Sequence, residues 1–119
     1  TGFVDPDVPA DAVAGCLALA HPSYFESFSM AVSEAWAQRK PALVQGHCAV
    51  LEGQARRSGG AIPYRGFAQF EAAVDLISGD ARLAASLGDA GRRYVEDRYR
   101  WDDVLGRYER LLGRTATVL

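Results

Sequence analysis

The sequence predicts an α/β fold: a partial, doubly wound parallel sheet that ends in two or three helices. Three observations carry that expectation. Short continuous apolar runs, Cys16-Leu17-Ala18-Leu19-Ala20 and Ala42-Leu43-Val44-Gln45, read as strands buried on both faces. Segments of helical length separate these runs, with apolar residues three and four apart in the later ones. Each crossover is also long enough to hold a helix, as parallel neighbours require.

Taken in order, Gly2-Phe3-Val4 reads as the tail of a strand and Asp5-Pro6-Asp7-Val8-Pro9 as a turn. Residues 10–15 suit a short helix, and the run at 16–20 is a strand halted by His21-Pro22. Residues 30–39 form a helix ended by Lys40-Pro41, because the residue before proline resists helical geometry. The strand at 42–45 stops at Gly46. Residues 48–57 are helical despite Gly53, and Ser58-Gly59-Gly60 breaks them off. Ala61-Ile62-Pro63-Tyr64 is a third strand, whose proline suggests a sheet edge or a strand end.

From Phe67 onward the chain is helical. Phe67, Phe70, Ala73 or Val74, and Ile77 share one stripe, which Ser78-Gly79 ends. Asp80 can cap the next helix, with Leu83, Leu87, Ala90, Tyr94 and Val95 on its apolar face. Trp101, Val104, Leu105, Tyr108, Leu111 and Leu112 line the last helix, and Asp102 and Asp103 favour its N-terminus. The spacing of Tyr94, Tyr99, Trp101 and Tyr108 fits core packing better than a stacking platform. With three or four strands, the first beginning mid-fold, the chain reads as the later part of a Rossmann-like domain.

Composition narrows the function classes. A chain of 119 residues, 49% hydrophobic and 24% charged, suits one globular domain. Its net charge of -2 argues against nucleic acid as a partner. Arg56-Arg57 and Arg92-Arg93 read as solvated helix faces. The richness in Arg and Ala points to a GC-rich, bacterial genome. No apolar run approaches the roughly 20 residues of a membrane helix, and the start lacks a signal-peptide pattern. The chain does not begin with Met, so a piece of a longer protein is expected. Cys16 and Cys48 lack metal-ligand spacing and read as two buried thiols of a cytoplasmic protein.

The chemistry concentrates after the strand at 16–20. In open α/β sheets, ligands bind beyond the carboxyl ends of the strands. The loop His21-Pro22-Ser23-Tyr24-Phe25-Glu26-Ser27-Phe28-Ser29 lies there. With Ser29 as N-cap, Met30, Ala31 and Val32 open the helix, and their amides lack intrahelical partners. Those amides and the helix dipole attract an anion, most naturally a phosphate, and Ser27 and Ser29 add hydroxyls. Glu34 shares a helix face with Met30 and can accept hydrogen bonds from a ribose diol. Glu26 stands on the other side of the phosphate position, toward the group beyond it. Two acids at this spacing also arise by chance, as a solvated loop residue and an exposed helix position.

The stretch from His21 to Ala35 resembles the E-x7-E segment of family 4 glycosyltransferases of the GT-B fold, which runs roughly P-S-x-x-E-G-F-G-x-x-x-x-E-A. Gly2-Phe3-Val4, Pro41-Ala42-Leu43-Val44 and Gly60-Ala61-Ile62-Pro63 resemble that family's strands, and Arg92-Arg93-Tyr94-Val95 through Trp101 its tail. The resemblance implies the C-terminal, nucleotide-sugar-binding domain of a retaining glycosyltransferase, incomplete on its N-terminal side. It implies that Glu34 contacts the donor ribose, that backbone from Phe28 to Met30 meets sugar and phosphate, and that Glu26 sits at the transferred sugar as the catalytic carboxylate. Val4 and Asp5 fall where the base is read. A nucleoside-diphosphate sugar is the implied partner, and no metal or other cofactor is expected. The acceptor would bind to an N-terminal domain absent from these residues, so the fragment alone should be inactive. Peripheral association of the longer enzyme with a membrane is in keeping with the resemblance.

The sequence departs from the family pattern at two places. Ser27 and Ser29 replace two glycines, which serine can do if the backbone needs no positive φ. Gly46-His47-Cys48 replaces a Gly-Gly loop, leaving His47 either a ligand contact or a structural residue. His21 reads as a hydrogen-bonded structural histidine. Two other readings remain: a catalytically inactive glycosyltransferase-like module kept for partner binding, or a receiver-like one with Asp5 and Asp7 as its acidic pair. The receiver-like reading lacks an aspartate at the strand ends at 20, 45 and 63, and Lys40 is the sole lysine.

Overall fold

The computed structural model describes residues 2–116. Its elements run α1 (Asp7–Gly15), β1 (Leu19–His21), α2 (Met30–Ala37), β2 (Ala42–Gln45), α3 (Ala49–Ser58), β3 (Ala61–Tyr64), α4 (Phe67–Gly79), α5 (Ala81–Arg98) and α6 (Trp101–Ala116). The three strands form one parallel sheet in the order β1-β2-β3. The protein is therefore α/β and ends in helices, as the apolar runs predict.

β2 is buried along its whole length because it sits between two strands and under two layers of helix. Its side chains alternate between two cores. Ala42 and Val44 join Val32, Trp36, Leu51, Ala55 and Tyr94 on the face covered by α2, α3 and α5. Leu43 joins Tyr64, Ala73 and Ile77 under α4 on the other. Pro63 lies in β3, an edge strand, where its missing N–H costs no ladder bond to a further strand.

Several boundaries differ from the sequence expectation. Gly2-Phe3-Val4 is not a strand; Phe3 and Val4 are exposed, and among the described residues no strand pairs with them. Apolar character there reflects no burial. α1 starts at Asp7, earlier than expected, and takes Val8 and Pro9 into its first turn, where a missing N–H is harmless. β1 lies at Leu19–His21, displaced from 16–20, because its pairing with β2 begins at Leu19. Cys16 is only partly buried, whereas Cys48 is in the core. α2 ends at Ala37 by its own cap, ahead of Pro41. Arg39 takes φ 58, its amide bonds Trp36 O, and Lys40 N bonds Ala35 O, which is a Schellman closure with arginine in the usual glycine place.

Asp80 caps α5 as expected, accepting from Arg82 N and Leu83 N. The α5 stripe differs in kind, since its most buried members are Gly88, Gly91 and Tyr94. These glycines let α5 lie against α2. A Cβ at Gly88 would fall 2.0 Å from the Arg39 carbonyl oxygen, and one at Gly91 2.2 Å from Trp36 Cδ1. α6 departs most from expectation. Trp101 and Tyr108 are 76% and 63% exposed, so its apolar stripe is not core. The molecule measures 57 × 32 × 30 Å.

Gly91→Ala and Gly88→Ala should each destabilise the fold by about 2–4 kcal/mol, because backbone or a buried indole would have to move. Gly106→Ala in α6, where the nearest atom is the flexible Arg110 guanidinium at 3.4 Å, should stabilise by about 0.5–1 kcal/mol. Urea unfolding of the three variants checks the opposite signs.

Candidate functional site

The loop joining β1 to α2 emerges at the carboxyl end of the sheet and is held at several points. At its start, His21 Nε2 lies 2.7 Å from Glu26 Oε1 and 3.2 Å from Ser29 Oγ. With Glu26 ionised, its carboxylate only accepts, so the proton on Nε2 is donated to it. His21 is thus hydrogen-bonded, and its partner is the predicted catalytic carboxylate. Both contacts fall on one ring nitrogen. A nucleophile–base–acid relay needs the serine on one nitrogen and the carboxylate on the other, so Ser29, His21 and Glu26 are not such a triad.

In the middle, the Phe28 carbonyl accepts from Gln54 Nε2 at 2.6 Å. Gln54 reaches across from α3 and is 3% exposed. Its Oε1 has no hydrogen-bond partner among the described residues, so its burial opposes folding by about 1–3 kcal/mol. The Phe28 ring meets Tyr99 edge-on at 5.0 Å. Burial, then the hydrogen bond with Tyr94, pushes the Tyr99 phenol up to about 12.

At its end, Ser29 caps α2, its Oγ accepting from Val32 N at 3.4 Å. Ser29 also takes φ 69, so the backbone does require positive φ here. The serine-for-glycine departure is therefore strained, by about 1–2 kcal/mol. The contacts of its hydroxyl with Val32 and His21 offset that strain. The amides of Met30 and Ala31 are left without partners among the described residues, as the first turn of a helix dictates.

An open cleft of about 680 Å³ lies beside this loop. Tyr24, Phe25, Glu26 and Ser27 line one wall, and His47, Cys48, Ala49 and Val50, at the start of α3, line the other. The His47 ring stacks on Tyr24, with centroids 6.0 Å apart and planes within 10°. The structure therefore brings Glu26, Ser27 and His47 to one cleft. Phe28, Ser29 and Met30 follow directly in the chain. Glu34 is exposed on α2, one turn beyond Met30, and makes no ion pair among the described residues. No described contact brings Val4 to the cleft.

Sequence reasoning missed Gln54 and Tyr24. Gln54 carries no local signal, because its partner stands 26 positions away. Tyr24 had one, its place in the loop at a strand's carboxyl end. Among the described residues, no group of three His, Cys, Asp or Glu is arranged to hold a metal ion, and no helix is long and apolar enough to cross a membrane. Searches of family models, curated proteins and solved structures each return no match to the chain.

Ser29→Ala keeps a β-carbon at positive φ and removes both hydroxyl contacts, so it should cost about 1–2 kcal/mol. Ser29→Gly loses the same contacts but relieves the backbone and should fall within about 0.5 kcal/mol of the parent. Thermal unfolding of the pair measures the strain directly.

Proposed function

We propose that this chain is the donor-binding portion of a retaining glycosyltransferase, which takes a sugar from a nucleoside-diphosphate sugar. In this reading the domain is Rossmann-like and doubly wound, the C-terminal part of a GT-B enzyme of family 4. The observation that carries it is the turn into α2. There the unpaired amides of Met30 and Ala31 open a helix, Glu26 stands in the preceding loop, and Glu34 lies one turn inside. All follow a parallel strand at its carboxyl end, where such sheets bind ligands.

The roles follow from charge. Transfer breaks the bond between the anomeric carbon and a diphosphate oxygen, leaving negative charge on the diphosphate. Amides and a helix N-terminus aimed at that oxygen stabilise the charge as it develops. The anomeric carbon becomes electron-poor in the same step, and a carboxylate at Glu26 opposes that charge. His21 fixes which way the carboxylate points by donating to Oε1. Glu34 accepts from the ribose hydroxyls and sets the donor's register along α2. Ser27 and His47 border the cleft that would receive the sugar or phosphate end. The acceptor, and the domain that would present it, belong to the longer enzyme.

Titration of the ¹⁵N-labelled chain with UDP- and GDP-sugars tests this reading. Saturable amide shifts are expected at Ser27, Phe28, Met30 and Ala31, with affinity falling about tenfold in Glu34→Gln. Saturating donors that leave those amides unmoved would refute it.

A further inference from the structure

One arginine from each of two basic pairs that read in sequence as separate solvated faces comes to the same cleft in space. Arg57 near the end of α3 and Arg93 and Arg98 on α5 line one cleft of about 240 Å³, together with Ser58, Tyr94 and Asp97. Arg39, Arg56, Arg65 and Arg92 each lie within ion-pair reach of a carboxylate. Among the described residues, Arg57, Arg93 and Arg98 have no such partner. Asp97 follows Arg93 by one helical turn, the spacing that favours an ion pair, yet none forms between them.

A buried tyrosine organises the cluster. Tyr94 packs edge-on against Trp36 and is fixed by the core. Its hydroxyl accepts from Arg57 Nε at 3.2 Å, and the Arg98 guanidinium lies 5.4 Å from its ring centroid. Two of the three guanidiniums are therefore held before any ligand arrives, which lessens the ordering entropy a ligand would have to overcome. The electrostatics agree. Burial pushes the Tyr94 phenol up, but its hydrogen bonds with Tyr99 and Arg57 and the charges of Arg57 and Arg98 outweigh this and hold it below the ordinary tyrosine value. Arg57 and Arg98 also stand in the last turns of α3 and α5, each of which carries about half a negative charge. Those helix ends and Asp97 offset about two of the three positive charges and leave the cleft cationic.

We propose that Arg57, Arg93 and Arg98 form a second anion site, which takes a single phosphate group on a small soluble ligand or a lipid headgroup. Guanidinium forks match phosphate oxygens in pairs, and a phosphate monoester carries about -1.5 to -2 at neutral pH. The cleft is smaller than the roughly 300–1,000 Å³ of pockets that enclose whole ligands, so one phosphate group fits its size better than a nucleotide. It is distinct from the cleft beside Glu26. That cleft includes the first residues of α3 and this one the last, about 10–13 Å apart along the helix axis.

The test follows arginine Nε–H resonances while inorganic phosphate replaces chloride at constant ionic strength. Saturable shifts are expected at Arg57, Arg93 and Arg98 but not at Arg39 or Arg65. Arg93→Gln and Arg98→Gln should each weaken binding about tenfold, with backbone amide spectra confirming that both variants stay folded. Tyr94→Phe, which keeps the ring but frees Arg57, should weaken it less. Cosedimentation with vesicles containing phosphatidic acid, whose headgroup is a phosphate monoester, set against phosphatidylcholine alone, separates the two sources. Pelleting that is lost in Arg93→Gln assigns a lipid headgroup, and phosphate binding without pelleting assigns a soluble ligand. Shifts that fail to saturate or spread over all arginines, with no pelleting, overturn the site. Neither arm probes the turn into α2, so the result is independent of the proposed donor site.

Discussion

Trp36 joins α2, α5 and the approach to β3 at a single buried side chain. Its side chain is fully buried, and a buried indole must place its N–H. The Gly60 carbonyl accepts it at 2.8 Å, tying α2 to the residue that leads into β3. α5 closes over the ring at Gly91, and a Cβ at Gly60 would meet the Gly91 backbone at 2.6 Å. Three segments thus meet at one side chain with no room for a methyl group between them. The axis of α2 is set by this junction, and so is the direction of its first-turn amides, five and six residues earlier. The candidate site inherits its geometry from the core.

Much of the fold was legible because strong local signals agreed with burial. β2 and β3 fall at the expected residues, since each is a short apolar run bounded by proline or glycine. The cap at Asp80 and the edge position of Pro63 are local chemistry and were read as such. The exceptions lie where apolar character is not matched by burial. Gly2-Phe3-Val4 has strand-like residues but no partner strand among the described residues, and β1 starts at Leu19 because pairing, not composition, sets where a strand starts. The stripe on α6 correctly identified an apolar face. Periodicity shows which side of a helix is apolar, not whether another element covers it.

The site was legible in part. The spacing of Glu26 and Glu34 and the helix start at Met30 are sequence features, and the structure places Glu26, Ser27 and His47 along one cleft. The clamps on the loop were not legible. Gln54 and Phe28 meet through tertiary packing, and the positive φ of Ser29 is masked by a residue that usually avoids it. The pairing of His21 with Glu26 spans five residues, yet it depends on the loop folding back on the strand end. Arg57, Arg93 and Arg98 likewise come together only when α5 lies beside α3. Charge is visible in sequence, but its convergence is not.

In the proposed reading, the opening turn of α2 is a preformed diphosphate cradle. Crystals of the chain grown with a nucleoside-diphosphate sugar measure this most directly. Phosphate oxygens are expected within hydrogen-bond distance of the Met30 and Ala31 amides, with the ribose against Glu34 and the Glu26 carboxylate beside the anomeric carbon. A donor bound elsewhere, with those two amides facing solvent, would contradict it.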